Sequence, residues 1–354
     1  MKDAQGVPTG EAAYYLAVNR GKRSLTVNLD HPGGQEIVRR LAAQSDVVLE
    51  NFKAGTLAKY GLDYASLSAV NPALVYCSVT GFGQTGPRRD QPAYDFLIQA
   101  MGGLMSVTGE RDGSPGAGPQ KVGVPVVDLM TGMYATVAVL AALTRRARTG
   151  LGEYIDIAML DVQVATLANQ AMNYLVSGNT PQRTGNAHPN IQPQDVYACL
   201  DGDIILVVGN DGQFHRLCGA LGQPDWATDE RFSTNARRIA HIGTLSAMLR
   251  EAFGRLERND VIARLDAAGV PCGPINSIPQ VLDDPQVCHR DMVQSLSHPA
   301  GVDVPTVASP MRFAAAPVRH QRPPPLLGEH SDELLRELGY SVDQVASLRT
   351  AGAI

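Results

Sequence analysis

One carboxylate of the sequence stands where it could act as a nucleophile. Asp128 lies between a glycine-rich stretch, residues 108–125, and an apolar segment that predicts a helix over residues 129–146. An aspartate at such a junction is commonly an N-cap that accepts backbone N–H bonds. The same donors and the helix dipole would keep the carboxylate ionised, and an ionised carboxylate can attack an acyl carbon. The residues alone leave both roles open.

Clustered cations could bind an anionic ligand. Residues 19–24 (NRGKRS) contain three cations directly before a β-branched stretch. They form either a solvated basic turn or a clamp for phosphates, which Arg binds through two N–H groups and Lys as a point charge. Lys53 and Lys59 follow a predicted strand and could extend such a patch, because ligands of open α/β sheets bind beyond the carboxyl ends of the strands.

Other motifs carry less chemistry. Residues 81–86 match G-x-G-x-x-G after a predicted strand, but Pro87 follows at once and Pro92 would break the helix that a dinucleotide site needs, so a structured loop is favoured. His188 is either a general base or a hydrogen-bonded loop histidine. Metal-ligand spacings, H-E-x-x-H and G-x-S-x-G do not occur, so we expect neither a metal site nor a serine hydrolase.

The composition restricts partners and compartment. The formal charge of -5 over 354 residues favours neither nucleic acid nor an anionic membrane as a partner. Five scattered cysteines without Cys-x-x-Cys indicate reduced thiols and a cytoplasmic protein. Residues 1–10 lack the apolar core of a signal peptide. The most apolar stretch, residues 126–143, contains Asp128 and is predicted to be a buried helix rather than a membrane span.

The elements that must position these residues alternate between strand and helix. SLTVNLD (24–30), a helix over 33–45 and DVVLENF (46–52) predict a βαβ crossover, and LVYCSVT (74–80) and YIDIAML (154–160) predict further strands of a parallel sheet. From about residue 183 the pattern changes to a hairpin with Asp201-Gly202 at the turn and to helices around 213–221 and 244–267. Two amphipathic helices end the chain. The sequence thus predicts an α/β protein with a second, smaller α+β region.

Several segments together resemble one family. They are NRGKRSLTVNLDHPGG, DVVLENFKAGTLAKYGLDY, NPALVYCSVTGFGQTGPRRDQPAYD, GLMSVTG, VPVVDLMTGMYATVAVLAAL, GEYIDIAMLD, GNAHPNIQP, AGVPCGPI and LGEHSDELLRELGY. In this order they resemble the class III CoA-transferases (CaiB/BaiF-like), a family that also contains formyl-CoA:oxalate transferases and α-methylacyl-CoA racemases. The resemblance covers nearly the whole chain.

The resemblance implies a site and an architecture. It places the nucleophile on Asp128, where an aspartyl anhydride and then an aspartyl-CoA thioester would form. The implied CoA contacts are Val27, Asn28, Leu29, Asn51, Phe52, Lys53, Lys59 and Arg89, and the implied active-site lid comprises Gly185, Asn186 and His188. A coenzyme A thioester is the substrate, and no bound cofactor is expected. The implied fold is a Rossmann-like large domain (1–184), a small α+β domain (185–295) and a returning tail (296–354), in an interlocked homodimer.

One triplet discriminates between activities within the family. The racemases carry a His before the Asp of G-H-D, whereas this sequence has Ala93-Tyr94-Asp95, and a phenol is a poor general base at neutral pH. We therefore expect CoA transfer from an acyl-CoA such as succinyl-CoA to a carboxylic acid. The alternatives are an acyl-CoA racemase or isomerase and a catalytically impaired acyl-CoA-binding dimer. The impaired dimer is considered because family members usually begin with a further strand, helix and strand. Met1 of this sequence corresponds to a position after those elements.

Overall fold

The computed structural model of the chain describes residues 1–319 and 321–354. These residues form two compact units, each assembled from separate stretches of sequence. Unit 1 comprises Met1–Ile98, Val126–Val162 and Ile278–Ile354, and unit 2 comprises Gln99–Pro125 and Gln163–Ser277. The domain boundaries predicted at residues 184 and 295 do not coincide with those of the units, because the chain leaves unit 1 and returns to it twice.

Helices and strands alternate through the first half of the chain. The helices are α1 (Ala13–Val18), α2 (Pro32–Gln44), α3 (Tyr64–Val70), α4 (Asp95–Met101), α5 (Leu104–Val107), α6 (Val126–Thr149), α7 (Met159–Thr166), α8 (Ala168–Ser177), α9 (Asp211–Ala220), α10 (Asp225–Thr228), α11 (Asn235–Ala240), α12 (Ile242–Phe253), α13 (Arg258–Ala267), α14 (Ile278–Leu282), α15 (Pro285–His289), α16 (Ser331–Glu337) and α17 (Val342–Thr350). The strands are β1 (Val47–Glu50), β2 (Val75–Thr80), β3 (Glu153–Ala158), β4 (Gln194–Cys199), β5 (Gly202–Val207), β6 (Cys272–Pro274), β7 (Val293–His298) and β8 (Val302–Val307). A 3-10 helix spans Leu57–Tyr60.

A three-stranded parallel sheet in the order β1–β2–β3 forms the centre of unit 1. Val47 of β1 pairs with Val75 of β2, which in turn pairs with Glu153 of β3. Parallel neighbours need crossover connections; α3 lies in the first, and the second passes through α6. The last three of the four strands predicted for this region are thereby confirmed.

The first predicted strand, residues 24–30, is wrong. The segment pairs with no strand and ends in a turn at residues 29–30. Its backbone bonds to the C-terminal tail instead: the His330 N–H donates to the Ser24 carbonyl (2.9 Å), and the Asn28 N–H donates to the Ala353 carbonyl (2.9 Å). The tail thus provides the hydrogen-bond partners of this backbone. The βαβ crossover predicted from residues 24–30 to residues 46–52 therefore does not join two paired strands.

Helix α2 packs closely on this extended segment. It begins with Pro32, whose missing N–H costs nothing at a first helical position. A Cβ on Gly34 would lie 2.0 Å from the Asn28 carbonyl oxygen, so glycine alone fits at this contact. One turn later on the same face, Ile37 is buried in a cluster with Leu335 of α16. The tail therefore completes the core of unit 1.

Helix α6 departs from its prediction as a buried helix. Only Val127, Thr131, Ala135 and Ala142 are buried along it. Leu129, Met133, Val137 and Leu140 are between 53% and 63% exposed. By length and composition alone α6 could cross a membrane, a criterion that core helices of soluble proteins also meet. The prediction is wrong because the sheet covers one side of the helix and leaves a broad apolar face open in the single chain.

Unit 2 contains the predicted hairpin. β4 and β5 pair antiparallel, and β6 adds to β5. Cys199 pairs with Gly202, so the turn is Leu200–Asp201, one residue earlier than predicted. The apolar core beneath the hairpin includes Tyr197, Leu206, Phe214, Leu249 and Leu265.

One charged side chain lies inside unit 2. Arg238 is fully buried and donates to the carbonyls of Gln192 (2.7 Å) and Phe232 (2.9 Å) and to the carboxylate of Asp211 (2.7 Å). Its guanidinium carbon lies 4.6 Å from the centroid of the Phe214 ring. The bonding of this buried cation is therefore extensive, and its role is structural.

Candidate active site

The carboxyl ends of the three parallel strands open onto a cavity of about 400 Å³, here called the Asp128 cavity. Asn51 follows β1, Thr80 ends β2 and Met159 follows β3, and all three line the cavity. Asp128 reaches it from the first turn of α6. Ligands of open α/β sheets bind at this edge. The cavity is therefore a ligand site by position as well as by shape.

Five residues that the sequence analysis assigned to one site share the Asp128 cavity: Asn51, Phe52, Lys53, Arg89 and Asp128. The ring of Phe52 is accessible, since this residue is 45% exposed. Among the described residues, the Lys53 ammonium group has no hydrogen-bond or ion-pair partner, and Arg89 makes a single ion pair at 3.7 Å. Both cations are thus available to an anionic ligand.

Four further residues that the resemblance assigned to CoA lie outside this cavity. Val27 and Leu29 pack in hydrophobic clusters. The Asn28 side chain donates to the Gly352 carbonyl (2.9 Å), and Lys59 is exposed on the 3-10 helix. A CoA contact by these four residues stays a prediction: the tail holds residues 24–30, and Lys59 is exposed outside the cavity.

Two carboxylates meet at the N-terminus of α6, with different partners. Asp95 Oδ2 accepts hydrogen bonds from the backbone N–H groups of Val127 (2.8 Å) and Asp128 (3.3 Å). It thereby satisfies donors that a helix start leaves open. The Asp128 carboxylate itself forms no hydrogen bond with any described residue. The capping role that was left open for Asp128 belongs to Asp95, which the sequence analysis did not identify as a site residue.

The environment makes Asp128 more basic than an ordinary aspartate. Partial burial, and then the charge of Asp95, raise the pKa of Asp128 above its usual value. The expectation that backbone donors would favour its ionised form is wrong, because Asp95 accepts from those donors. Once ionised, a partly buried carboxylate without hydrogen bonds is well placed to attack an electrophile.

An apolar groove of about 500 Å³ adjoins the cavity at Asp128. It runs between β1 and α6, and its walls include Val47, Leu49, Val79, Ala135, Val139 and Leu140. Thr131 lies one turn after Asp128 on the same helix face and is 3% exposed. Its hydroxyl has no partner among the described residues. The groove therefore offers an apolar channel with one unused polar group beside the Asp128 carboxylate.

A polar network fixes the turn that follows β1. The Phe52 N–H (2.7 Å) and the Ser78 hydroxyl both donate to the Glu50 carboxylate. Gln84 Nε2 donates to Ser78 Oγ (2.7 Å), and Ser78 is 1% exposed. The sequence analysis missed this network, although the position of Glu50 and Ser78 near the carboxyl ends of predicted strands was a usable signal.

The Gly81–Gly86 loop does not open a helix, which confirms that the dinucleotide-binding motif was rightly set aside. A Cβ on Gly81 would lie 2.1 Å from the Cβ of Ala93. Both residues line the Asp128 cavity. This glycine therefore allows the loop to fold tightly against the cavity wall.

The basic turn at residues 19–24 is largely structural. Arg20 donates to the Thr306 hydroxyl (3.1 Å), and Arg23 forms ion pairs with Glu333 (2.8 Å) and Glu337 (2.7 Å). These contacts join the turn to β8 and α16. Two of its three cations are thus engaged within unit 1 and do not line the Asp128 cavity.

The predicted lid residues Gly185, Asn186 and His188 belong to unit 2. His188 Nδ1 accepts from the backbone N–H groups of Asn190 (3.0 Å) and Ile191 (3.0 Å). The imidazole thus stabilises its own loop, as in the structural alternative left open for this histidine. A lid function of the three residues stays a prediction.

Four of the five cysteine thiols are weak nucleophiles. Burial raises the pKa of Cys77 and of Cys218 to about 11, and it also raises the pKa of Cys199 and Cys272. These thiols are protonated at neutral pH and weakly reactive. Within residues 1–319 and 321–354, no three His, Cys, Asp or Glu side chains are grouped as metal ligands.

Comparison with known proteins defines the class. The sequence model of CoA-transferase family III matches residues 2–331. A succinate–glutarate CoA-transferase of Agrobacterium fabrum is 50% identical, over 92% of this chain and 81% of its own. The human succinyl-CoA:glutarate CoA-transferase is 36% identical, over 97% and 78%. The crystal structure of a CaiB/BaiF family protein from Brucella suis matches with a TM-score of 0.80 at 47% identity, covering 95% of this chain and 90% of that one.

The chain belongs to CoA-transferase family III. It is a CoA-transferase, an enzyme that takes an acyl-CoA and a carboxylate as substrates. The resemblance inferred from the sequence segments is confirmed, as is a mixed α/β fold with a parallel sheet.

Proposed function

We propose that this enzyme transfers CoA from succinyl-CoA or a similar acyl-CoA to a carboxylic acid, with Asp128 as the covalent nucleophile. One observation carries the proposal: a carboxylate without a hydrogen bond to any described residue lies where a cavity with two available cations meets an apolar groove. The cavity suits the anionic CoA moiety, and the groove suits the acyl chain.

The proposed reaction needs no redox step and no metal. The Asp128 carboxylate attacks the thioester carbonyl, an acyl–oxygen bond forms, the carbon–sulfur bond breaks and CoA thiolate leaves. The thiolate then attacks the aspartyl carbonyl of the mixed anhydride, which gives an aspartyl-CoA thioester and releases the donor acid. The acceptor carboxylate repeats the two steps in reverse, and the product acyl-CoA leaves with Asp128 regenerated.

Charge and shape suggest how the substrates are held. Lys53 and Arg89 would bind CoA phosphates, and Phe52 would stack on the adenine ring. The Thr131 hydroxyl would bond to a polar group of the acyl chain. The relatives named above act on succinate and glutarate, or on succinyl-CoA and glutarate. We therefore propose dicarboxylates as both the donor and the acceptor acids.

Aspartyl anhydrides and thioesters hydrolyse readily, so the proposed site must exclude water. We propose that Gly185, Asn186 and His188 contribute a lid for this purpose. We also propose a Rossmann-like arrangement for the large domain and an interlocked homodimer. The exposed apolar face of α6 supports the dimer, since a second copy of the chain would bury it.

The remaining expectations are also proposals. Five free cysteines support a cytoplasmic location. A net charge of -5 gives no reason to expect nucleic acid or an anionic membrane as a partner. The proposed reaction uses a CoA thioester as substrate and requires no resident cofactor.

The proposal can be tested with the full chain, succinyl-CoA and a panel of mono- and dicarboxylic acids. We expect new CoA esters, measured by liquid chromatography and mass spectrometry, in largest amount with dicarboxylate acceptors such as glutarate. Deuterium from the solvent should not enter the α-carbon of the acyl group. Deuterium exchange without any acceptor acid would favour the racemase alternative. Thioester hydrolysis without transfer to any acid would contradict the proposal.

A further inference from the structure

Unit 1 contains another cavity, of about 370 Å³, that shares no lining residue with the Asp128 cavity. We call it the His298 cavity; Lys22, Arg322, Glu329 and His330 also line it. The basic turn, the end of β7 and the chain before α16 form its walls. This volume is ample for a small organic molecule.

A buried imidazole in the wall of this cavity has an unused donor. His298 is 5% exposed, and its Nδ1 accepts a hydrogen bond from the Ala300 N–H (3.2 Å). In a neutral imidazole the proton must then be on Nε2. Nε2 is buried and has no partner among the described residues. An unpaired buried N–H destabilises a fold, so a ligand acceptor that reached Nε2 from the cavity would stabilise it.

A second imidazole is fixed in the same way. His330 Nδ1 accepts from the Ser24 N–H (3.2 Å), which leaves its Nε2–H free to donate. The nearest carboxylate oxygen, on Glu329, lies 4.0 Å from Nε2, beyond hydrogen-bond distance. Two N–H donors with defined tautomers therefore belong to one cavity.

Two cations add to these donors. Lys22 is the third cation of the basic turn; Arg20 and Arg23 are engaged in the structural contacts described above. Its ammonium group donates to Asn19 Oδ1 (2.9 Å) and retains two further N–H groups. The Arg322 guanidinium forms no hydrogen bond and no close ion pair with a described residue. The lining thus offers two charged and two neutral donor groups.

The charge balance indicates the class of ligand. Among the lining residues the two cations exceed the single carboxylate of Glu329, one oxygen of which accepts from the Leu326 N–H (2.8 Å). Outside the lining, Glu337 interacts with Arg322 but also forms an ion pair with Arg23. A phosphate monoester presents several acceptor oxygens and a double negative charge, which suits an Arg fork, a Lys point charge and imidazole donors. The other oxygen of Glu329 could accept from a hydroxyl of the organic part. We propose that the His298 cavity binds a small organic phosphate monoester, separately from the acyl-CoA.

Calorimetric titration of the full chain with glycerol 3-phosphate tests this proposal, with glycerol and sodium chloride as controls. We expect saturable binding that Lys22→Met and Arg322→Met each weaken by about tenfold, because each removes a charge-assisted hydrogen bond. Lys53→Met, in the Asp128 cavity, is the matched control and should bind glycerol 3-phosphate as the wild type does. Lys22→Met should keep the wild-type KM for acyl-CoA, so this test is independent of the proposed transfer reaction.

The buried histidine can be observed without altering it. In protein with 15N-labelled histidine, the Nε2 resonance of His298 should shift on addition of glycerol 3-phosphate and remain in place with glycerol. This measurement does not depend on whether a His298 variant folds.

Several results would overturn the proposal. Absence of saturable heat up to about 10 mM ligand would mean that the cavity holds water only. Wild-type affinity for glycerol 3-phosphate in folded Lys22→Met and Arg322→Met variants would also show that the His298 cavity does not bind it. Loss of binding in Lys53→Met, or competitive displacement of glycerol 3-phosphate by acyl-CoA, would place the phosphate in the Asp128 cavity instead.

Discussion

The first turn of α6 and the interior of unit 2 both hold a charged side chain, but in opposite states. Asp128 in unit 1 has a raised pKa and no hydrogen bond to a described residue. Arg238 in unit 2 is fully buried and bonds to two carbonyls and one carboxylate. The contrast separates a charge that holds the fold from a charge that remains available to a ligand.

The contrast has an energetic basis. A buried cation with extensive hydrogen bonding contributes to stability only as long as its partners remain, and removing it leaves those partners unsatisfied. A partly desolvated carboxylate without hydrogen bonds costs some stability, and groups with shifted pKa values concentrate at functional sites. Substitutions at the two positions should therefore have opposite effects on activity and on folding.

The largest effect is expected from Asp128→Asn. The amide cannot form the proposed anhydride, so CoA transfer should fall by about 1000-fold or more, measured as kcat with saturating substrates. Asp343→Asn, which alters an exposed aspartate in the first turn of α17, is the matched control and should retain activity. Substantial CoA transfer by Asp128→Asn would contradict the role of Asp128 as the functional charge in this comparison.

The same variant should fold at least as stably as the wild type at neutral pH. The pKa of Asp128 is raised in the folded state, so the folded protein binds more protons than the unfolded one between the ordinary aspartate pKa and the raised value. Stability from this group is therefore present below that window and lost as the pH rises through it. Thermal melts should show a Tm advantage for Asp128→Asn at pH 7 that disappears at acidic pH. A lower Tm at pH 7 would indicate a structural role for the carboxylate.

Arg238→Met should have the opposite effects. The substitution removes the hydrogen bonds to two carbonyls and leaves those carbonyls buried in unit 2 without the donors. This should lower the free energy of unfolding by about 3 kcal/mol. Urea titration measures this change, and Arg255→Met, which removes an exposed i,i+4 ion pair, should give no measurable change. Unaltered stability of Arg238→Met would show that extensive hydrogen bonding does not identify a structural charge.

The two lysines that sequence analysis grouped together should behave differently. Lys53 lines the Asp128 cavity and Lys59 does not. Lys53→Met should therefore raise the KM for acyl-CoA by about tenfold with little change in kcat, because it removes a charge-assisted contact with a phosphate. Lys59→Met should leave both constants unchanged. Equal effects of the two substitutions on KM would support the sequence-based contact set instead.

The smallest expected effect concerns the second carboxylate at α6. An asparagine at position 95 can still accept the two N–H bonds but carries no charge. Since the Asp95 charge raises the pKa of Asp128, Asp95→Asn should lower that pKa and move the acid limb of the kcat/KM profile to lower pH. An unmoved limb, or a shift to higher pH, would exclude this coupling.

Sequence patterns predicted well what depends on local signals. β-branched runs located β1, β2 and β3, and the end of the glycine-rich stretch located the start of α6. The strand predicted at residues 24–30 failed because its partners come from residues 328–353, and no local pattern reveals that a distant tail competes with a neighbouring strand.

The site was predicted in part for a similar reason. Residues directly after strands, such as Asn51 and Lys53, reach the cavity by the geometry of parallel sheets. The role of Asp95 could not be read from the sequence, because it depends on α4 meeting the start of α6, 32 residues further along the chain. The exposed face of α6 was missed because composition does not show how much of a helix one chain covers.

Chemical trapping tests the central claim most directly. The full chain is mixed with succinyl-CoA without an acceptor acid, treated with hydroxylamine, digested and analysed by peptide mass spectrometry. The proposed mechanism predicts a hydroxamate on Asp128 that depends on succinyl-CoA and is absent from Asp128→Asn, with Asp95 unmodified. An enzyme that transfers CoA while its Asp128 peptide stays unlabelled, or that is labelled at another carboxylate, would contradict the account.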